Sequence, residues 1–333
     1  MPAGRAKPDW AASALAVPGA RKAKLVNRAF PPQLAKLGSA PPDGADWIHE
    51  LKWDGYRLLG TVVAGEAKLW SRNAIEWTAK QPRIAAALQR LPITSLAVDG
   101  ELIAGGGRQE DFNLLQATLS GETRGGLGLV LFDLLHIDGI DVSGCPLIER
   151  KGLLARLLAK PPAGISFSAH VDGSGRDAFQ AAAGAGFEGI ISKRASRPYA
   201  AGRGDDWRKT KHLPSEEYAV VGWMPGEGGR SGSVGSLLLA TPDQEHGWRY
   251  VGRVGSGFTN ELLRQLDARI GGCGQGTPSV HVPTGKQRSL RTARWFPPSF
   301  VAEVFLRGIT GQGVLRQPSL KALRLDKRPD DLG

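Results

Sequence analysis

Short apolar runs separated by polar turns occur along most of the chain and predict a fold of both strands and helices. The strand-like runs before residue 212 are WIHELKW, YRLLGTVV, AKLWSR, SLAVDGELI, GLVLFDLLHI and GFEGIISKR. PRIAAALQRL and LIERKGLLARLLAK instead repeat apolar residues at helical spacing, and Asp177 is placed to cap a helix in DAFQAAAGAG. Because strands and helices do not alternate strictly, we predict the α+β class.

The pattern changes at HLPSEEYAVVGW, residues 212–223, where a proline and a serine follow a lysine-rich stretch. Beyond this point the runs YAVVGW, SVGSLLLAT, WRYVGRVGSG and SFVAEVFLRGI are short, strand-like and separated by glycine turns. One helix is expected in FTNELLRQLDARI, capped by Thr259 or Asn260. Its apolar face would carry Leu262, Leu263, Leu266 and Ile270. Several short strands and one helix predict a small closed barrel of the OB-fold type.

These patterns divide the chain into three predicted segments: 1–24, 25–213 and 214–333. The first is basic, and its weak apolar patch is broken by Pro18, so we expect a flexible arm rather than a signal peptide. The second segment would hold the mixed fold and the third the barrel. No run approaches the roughly 20 apolar residues of a membrane span.

The charge of the chain indicates the kind of partner it binds, and its cysteine content indicates the redox compartment. The formal net charge is +11, and the excess is spread along the chain, which suits a polyanionic partner that contacts both folded parts. Ordinary solubility charge is the alternative explanation. Cys145 and Cys273 are isolated and lack metal-ligand spacing, which favours a reducing compartment. The six histidines are scattered, and we assign no metal to them.

The stretch HELKWDGYRLLG, residues 49–60, contains the first candidate for chemistry. Lys52 becomes a nucleophile if its environment lowers the pKa of its amine. Gly55 allows close backbone approach to a ligand, and the planar guanidinium of Arg57 suits phosphate or ribose oxygens. A solvated strand end would be the better explanation if nothing else followed.

Further motifs follow in a fixed order along the chain. SRN at 71–73 supplies Arg72, DGEL at 99–102 supplies Glu101, and LFDLL at 131–135 supplies Phe132, which alone would be a core residue. EGIISKR supplies Glu188 and Lys193, and WRKTKH supplies Lys209 and Lys211. In a strand, a spacing of two places both of these lysines on one face, where an anion would relieve their repulsion. The joint order of the motifs carries more weight than any single motif.

This ordered set resembles the motifs of covalent nucleotidyltransferases and is most similar to ATP-dependent DNA ligases, in particular the ligase domain of bacterial ligase D. The stretches LVLFDLLHIDG, RPYAAGRGDDWRKTKH and LRQPSLKALRLDK support that branch. Ala74 stands where the family usually has glycine. The resemblance implies that 25–213 is an adenylation domain of antiparallel sheets flanked by helices, followed by an OB-fold barrel. No polymerase or end-processing domain fits, so the chain is either a free-standing ligase or one domain of a longer protein.

The resemblance also implies site roles. Lys52 would attack the α-phosphorus of ATP and carry AMP covalently. The implied ATP-binding residues are Glu50, Leu51, Arg57, Arg72, Glu101, Phe132, Lys193, Lys209 and Lys211. Among them, Lys209 and Lys211 would hold the α-phosphate, Glu101 the ribose hydroxyls and Phe132 the adenine. Mg²⁺ or Mn²⁺ would be held by Glu188 and Glu101.

The barrel would close over ATP in the first step and face DNA afterwards, by the same resemblance. Closure would bring Arg324, Asp326 and Lys327 to the pyrophosphate. The candidate DNA contacts are Arg249, Arg253, Arg288, Arg291 and Arg294. The implied partners are double-stranded DNA with nicks or breaks and an end-binding repair protein. We expect a monomer located in the bacterial cytoplasm at the nucleoid.

Three other functions compete with this one. An RNA ligase or a capping guanylyltransferase shares the lysine motif, and nucleotide preference would distinguish the latter. A binding module with a decayed nucleotidyl domain would bind nicks without sealing them. A kinase or NTPase is disfavoured, because the glycine-rich loop GEGGRSGSVG lacks the ending of a P-loop.

Overall fold

The computed structural model describes residues 8–108, 111–212, 215–226, 233–273, 280–283, 287–306, 309–310 and 313–332. The chain divides into two units, Met1–His212 and Leu213–Gly333. The domain boundary predicted from the sequence falls on residues 213 and 214, which lie outside the described ranges. None of the helices within these ranges is long and apolar enough to cross a membrane.

The first unit contains twelve strands and five α-helices among its described residues. In chain order the strands are β1 Arg21–Lys22, β2 Gln33–Leu37, β3 Trp47–Leu51, β4 Tyr56–Val63, β5 Glu66–Ser71, β6 Ser95–Ala104, β7 Leu127–Ile137, β8 Ile140–Asp141, β9 Ile165–Phe167, β10 His170–Val171, β11 Gly189–Arg194 and β12 Gly202–Lys211. The helices are α1 Trp10–Leu15, α2 Pro82–Gln89, α3 Phe112–Leu119, α4 Leu147–Leu157 and α5 Gly175–Gly184.

These strands form two sheets. Sheet one has the order β1-β8-β7-β6-β4-β5, with β9 beside β7, and sheet two has the order β10-β3-β11-β12-β2. All neighbours are antiparallel except β9 with β7 and β2 with β12. β6 and β7 are buried along most of their length, and the sequence of β7 is nearly continuously apolar. Helix α4 packs on β7. The predicted α+β class is confirmed.

Two local predictions need correction. Ser174, not Asp177, caps α5, because the Ser174 side chain accepts a hydrogen bond from the Asp177 amide and the helix already begins at Gly175. The prediction of a flexible arm over 1–24 is wrong for residues 10–22, which include a helix and a short strand. Trp10 and Ala14 of α1 are buried, and β1 pairs with β8. A helix of six residues is too short to give a clear periodic signal.

The second unit is one sheet with a helix packed on it. Its strands are β13 Ser215–Pro225, β14 Val234–Asp243, β15 Gly247–Val254, β16 Val280–His281, β17 Arg294–Phe305 and β18 Ser319–Arg324, in the order β16-β15-β14-β13-β17-β18, and its α-helix is α6 Asn260–Gly271. Thr259 caps α6 by accepting from the Leu262 amide at 3.2 Å, which fits one of the two predicted caps.

Backbone hydrogen bonds tie the end of this sheet back to β15. The Leu315 amide donates to the Val251 carbonyl at 2.7 Å, and the Leu320 amide in β18 donates to the Ser256 carbonyl at 2.9 Å. The sheet therefore encloses an apolar core, to which α6 contributes Leu262 and Leu266. A second, smaller cluster of buried residues consists of Ala219, Val221, Leu238, Ala240, Tyr250 and Leu290. This arrangement matches the barrel that the short strands predicted.

Candidate active site

Lys52 lies at a junction between the two sheets of the first unit. It directly follows β3 of sheet two, and β4 of sheet one begins four residues later. The Lys52 amide donates to the Gly189 carbonyl at 2.9 Å, which fixes the backbone of the junction. A side chain on Gly55 would meet the Leu102 carbonyl oxygen at 2.1 Å, so the close approach to β6 requires glycine there.

Glu188 joins two of the predicted lysines. Its side chain is fully buried and accepts a hydrogen bond from Lys52 Nζ, and Lys211 Nζ lies 3.1 Å from its other oxygen. Gly189 permits this arrangement, because its φ is +154° and a Cβ there would lie 1.9 Å from the Thr210 carbonyl oxygen. The structure therefore brings Lys52, Glu188 and Lys211 together where β3 ends, β11 begins and β12 ends, at one end of these three neighbouring strands of sheet two.

Lys209 lies two residues before Lys211 on β12, where it pairs with Ile191 of β11. Residues two apart in a strand share a face. The half-buried Lys209 and Lys211 are therefore on the same side of the strand, as the sequence predicted. Leu51 ends β3 and pairs with Ile190 of β11.

Arg57 is bound inside the protein. Its guanidinium forms a two-bond ion pair with the buried Asp99, and it also donates to the Gln33 carbonyl at 3.1 Å. Burial lowers the pKa of Arg57, but attraction to Asp99 outweighs it and raises the pKa above its usual value. Tyr199 donates to the same Asp99 carboxylate at 2.6 Å. Motif spacing did not indicate that Asp99 and Tyr199 lie beside Arg57. These residues are far from Arg57 in sequence, and only the folded chain brings them together.

Phe132 lies among cations. The Arg57 guanidinium is 4.6 Å and Lys193 Nζ is 4.4 Å from the centre of its ring, and Trp207 packs edge-on to it at 6.1 Å. The negative face of an aromatic ring attracts such cations. Lys193 is buried, and this burial lowers the pKa of its amine to about 8.

Glu50 is the counter-ion of Lys193. Its carboxylate lies 2.8 Å from Lys193 Nζ and 3.0 Å from Lys151 Nζ. Burial raises the pKa of Glu50, but attraction from the two lysines outweighs it and holds the pKa below its usual range. Lys151 lies outside the sequence motifs. The only signal for it in the sequence is its position among the apolar residues of the helical stretch LIERKGLL.

Two further predicted residues lie on sheet one. Arg72 is half-buried in the turn after β5, and Glu101 is half-buried on β6, opposite Arg57 in the pairing with β4. Ala74, in the same turn as Arg72, has φ +60°, the left-handed conformation that glycine adopts without strain.

The carboxylates near Lys52 suit a divalent cation only if the substrate supplies further oxygens. No cluster of three or more His, Cys, Asp or Glu side chains suited to a metal occurs in the described part of the chain. Mg²⁺ is commonly held by one or two carboxylates together with substrate phosphates. The buried Glu188 carboxylate fits that kind of site, since ATP would supply the remaining oxygens.

In the second unit, the residues predicted to contact pyrophosphate are bound to carboxylates. Arg324 pairs with Asp326 at 2.7 Å and with Glu217 at 2.8 Å, and Lys327 pairs with Glu217. Burial lowers the pKa of Arg324, but Asp326 and Glu217 outweigh it and raise the pKa well above its usual value.

The predicted DNA contacts of the second unit differ in their surroundings. Arg249 pairs with Asp243 at 3.4 Å, Arg253 donates to the Met224 sulfur at 3.3 Å, and Arg294 lies 4.9 Å from the ring centre of Trp223. Arg291 is exposed. The side chain of Arg288 lies outside the described part.

A two-sheet domain with a lysine at the sheet junction, followed by a small barrel, defines the class of nucleotidyltransferases with a C-terminal β-barrel. The family model described as "ATP dependent DNA ligase domain" matches residues 23–211, and that described as "ATP dependent DNA ligase C terminal region" matches residues 230–327. The chain therefore belongs to the ATP-dependent DNA ligase family. The predicted family and enzyme class are confirmed.

The similarity to individual proteins extends over most of the chain. The chain is 36% identical over 303 residues to the multifunctional non-homologous end joining protein LigD of Pseudomonas aeruginosa, and the match covers 89% of this chain and 35% of that protein. It is 33% identical over 304 residues to LigD of Mycobacterium tuberculosis, covering 90% and 39%. The chain thus spans about a third to two fifths of the length of these relatives. A solved structure, mycobacterial DNA ligase D complexed with ATP and MES, is similar with a TM-score of 0.66 at 30% identity, covering 91% of this chain and 97% of that one.

Proposed function

We propose that this protein seals breaks between 5′-phosphate and 3′-hydroxyl ends in duplex DNA, using ATP and an AMP adduct on Lys52. One observation carries the proposal: Lys52 shares a buried carboxylate, Glu188, with Lys211 at one end of strands β3, β11 and β12. A lysine beside a second cation and a proton acceptor is suited to nucleophilic attack on phosphorus.

In the first step, the Lys52 nitrogen forms a bond to the α-phosphorus of ATP, and the bond to pyrophosphate breaks. Glu188 accepts a hydrogen bond from the Lys52 amine, so it can take up the proton that the amine loses. Lys209 and Lys211 neutralise charge on the α-phosphate oxygens, which is the main form of catalysis available to phosphoryl transfer.

The remaining nucleotide contacts follow the predicted roles. Glu101 and Arg72 bind the sugar and phosphate oxygens, Phe132 stacks on the adenine, and Leu51 and Glu50 border the nucleotide from β3. Arg57 acts mainly through Phe132, because its guanidinium is bound to Asp99. Mg²⁺ or Mn²⁺, held by Glu188 and Glu101 with ATP oxygens, would add neutralising positive charge.

In the second step, the DNA 5′-phosphate attacks the adenylyl-lysine and releases Lys52. In the third, the 3′-hydroxyl attacks the DNA-adenylate and AMP leaves. The net charge of +11 favours sequence-independent binding to DNA phosphates, with Arg249, Arg253, Arg288, Arg291 and Arg294 as proposed contacts. Arg324, Asp326 and Lys327 would approach the pyrophosphate in the first step.

The names of the relatives point to end joining. We place this protein in bacterial DNA repair at the nucleoid, acting as a monomer on nicks or double-strand breaks with an end-binding repair protein as partner. Sealing of a nicked duplex and of a linear duplex with cohesive ends, compared at 50 mM and 200 mM salt, tests the substrate. Binding without sealing of either would contradict the proposal.

The adenylation step is tested by incubation with α-labelled ATP or GTP and a divalent cation, after pyrophosphate treatment removes bound AMP. We expect label on the denatured wild-type protein from ATP only, and none on Lys52→Ala. Label from GTP would favour a guanylyltransferase. Absence of label from the wild type would contradict the proposed chemistry.

A further inference from the structure

Ser168 links the two sides of the Lys52 junction. Its hydroxyl accepts a hydrogen bond from Trp53 Nε1 at 3.0 Å and donates one to Glu50 Oε2 at 2.8 Å. Trp53 follows Lys52 directly, and Glu50 precedes it by two residues. One buried hydroxyl, more than 100 positions away in sequence, therefore holds the chain on both sides of the lysine.

Lys151 completes this arrangement. Its Nζ donates to Glu50 Oε1 at 3.0 Å and to the Ser168 carbonyl at 2.8 Å. Glu50, Lys151 and Ser168 are all buried, so their hydrogen bonds are shielded from water. We call these three residues the buried clamp.

The buried clamp is anchored to β7. The Ser168 amide donates to the Leu131 carbonyl at 2.8 Å, next to Phe132. Arg150, beside Lys151 on α4, forms a fully buried two-bond ion pair with Asp133 at 2.7 and 2.8 Å. The backbone of Ser168 is thus held by β7, and α4, which carries Lys151, is held to β7 by the Arg150–Asp133 pair. The side chains of Lys151 and Ser168 can therefore restrict the movement of the strand end that precedes Lys52.

We propose that Ser168 and Lys151 are positioning residues for the Lys52 nucleophile. They touch neither the amine nor the reacting phosphate; they act through Glu50 and Trp53. This inference rests on the proposed function. In-line attack on phosphorus tolerates little misplacement, since a displacement of about 1 Å can reduce a rate about 100-fold. Loss of the hydroxyl should therefore slow the step in which Lys52 is the nucleophile.

The chain offers a matched control in sheet one. Thr61 on β4 is also fully buried, accepts from Trp70 Nε1 at 3.3 Å and donates to Asn27 Oδ1 at 2.6 Å. Like the Ser168 hydroxyl, the Thr61 hydroxyl accepts a hydrogen bond from an indole and donates one to a side-chain oxygen. Its partners, however, are not neighbours of Lys52 in sequence. Thr61→Val therefore measures the cost of losing such a hydroxyl from the fold alone.

The experiment compares Ser168→Ala, Ser168→Thr and Thr61→Val in two assays. The first is the single-turnover rate of protein labelling, measured over a range of α-labelled ATP concentrations up to saturation. The second is sealing of a nick that already carries the DNA-adenylate, which bypasses Lys52 as nucleophile. We expect Ser168→Ala to lose about 10-fold to 100-fold in the labelling rate, with the KM for ATP and the second assay unchanged. Ser168→Thr should recover most of the rate, and Thr61→Val should lose none.

Trp53→Phe provides a second variant if Ser168→Ala does not fold. It removes the indole donor but keeps an aromatic ring against Phe187, which Trp53 contacts edge-on at 5.5 Å. Trp70→Phe is its control. Equal labelling by Ser168→Ala and wild type, or equal losses in both assays, would overturn the proposal. If the wild type itself takes no label, the proposed function fails, which separates the two outcomes.

Discussion

The amine of Lys52 donates a hydrogen bond to the buried carboxylate of Glu188, and the amine of Lys211 lies 3.1 Å from the other oxygen of the same group. One buried negative charge thus lies between two positive ones. Removing that charge would leave two ammonium groups facing each other, and it would remove the nearest proton acceptor of the proposed nucleophile.

Glu188→Gln keeps the shape of the side chain but removes its charge. We expect the rate of adenylation to fall about 100-fold, because both the proton acceptor and the placement of Lys52 are lost. Binding to a nicked duplex should change less than adenylation. Glu149→Gln, at an exposed position on α4, is the control. Adenylation of Glu188→Gln within twofold of the wild type would contradict this role.

Local sequence patterns predicted most of the strands and the identity of the charged residues at the junction. The apolar runs around β3, β4, β6 and β7 are long enough for their periodicity to be clear, and the spacing of Lys209 and Lys211 fits a strand. These features depend only on residues that are close together in sequence, so they can be predicted from one amino-acid sequence.

Partners distant in sequence could not be predicted in this way. Tyr199 and Asp99 are 100 positions apart, and Ser168 and Glu50 are 118 apart. Their pairing depends on how the two sheets pack, which no local pattern contains. Arg57 shows the consequence: its residue type suggested a ligand contact, while the structure binds its guanidinium to Asp99.

Ala74→Gly tests the strained turn after β5. Ala74 has φ +60°, which costs an L-residue about 1–2 kcal/mol. Glycine relieves that strain but adds about 0.4–1 kcal/mol of entropy to the unfolded chain. We expect the free energy of unfolding to rise by about 0.5 kcal/mol. Ala181→Gly, at an exposed position on α5, should instead lower it by about 1 kcal/mol. Denaturant unfolding measures both, and effects of the same sign would contradict the argument.

Lys193 should make stability depend on pH in the alkaline range. Burial lowers the pKa of its amine from 10.5 to about 8, with Lys151 adding repulsion and Glu50 and Asp133 opposing the change. Between these two values the unfolded chain binds a proton that the folded chain has released, so the free energy of unfolding rises with pH. Below pH 8 both states are protonated, and this contribution no longer changes.

Lys193→Met isolates that contribution. We expect the wild type to gain stability relative to this variant from pH 8 to pH 10, as measured by denaturant unfolding at each pH. Lys160→Met, at an exposed position, serves as the control and should show no such trend. A difference between wild type and Lys193→Met that stays constant over the range would contradict the burial argument.

Glu217 sets a condition on the proposed closure of the second unit. It binds Lys327 through both carboxylate oxygens and lies 2.8 Å from Arg324, which also pairs with Glu303 at 3.2 Å. The cations proposed to meet pyrophosphate are therefore already neutralised within their own domain. In the proposed closure, contact with ATP would require them to leave Glu217, and the free energy of that exchange would weaken the apparent affinity for ATP.

Glu217→Gln should reduce this competition. We expect the ATP concentration for half-maximal adenylation to fall about threefold to tenfold, since a competent arrangement becomes more populated before ATP binds. The maximal rate should change little, because no group in contact with the α-phosphate is altered. Glu216→Gln, one residue away, controls for the loss of negative charge on β13. If Glu217→Gln needs as much ATP as the wild type or more, then Glu217 holds Arg324 and Lys327 in place instead of competing with the nucleotide for them.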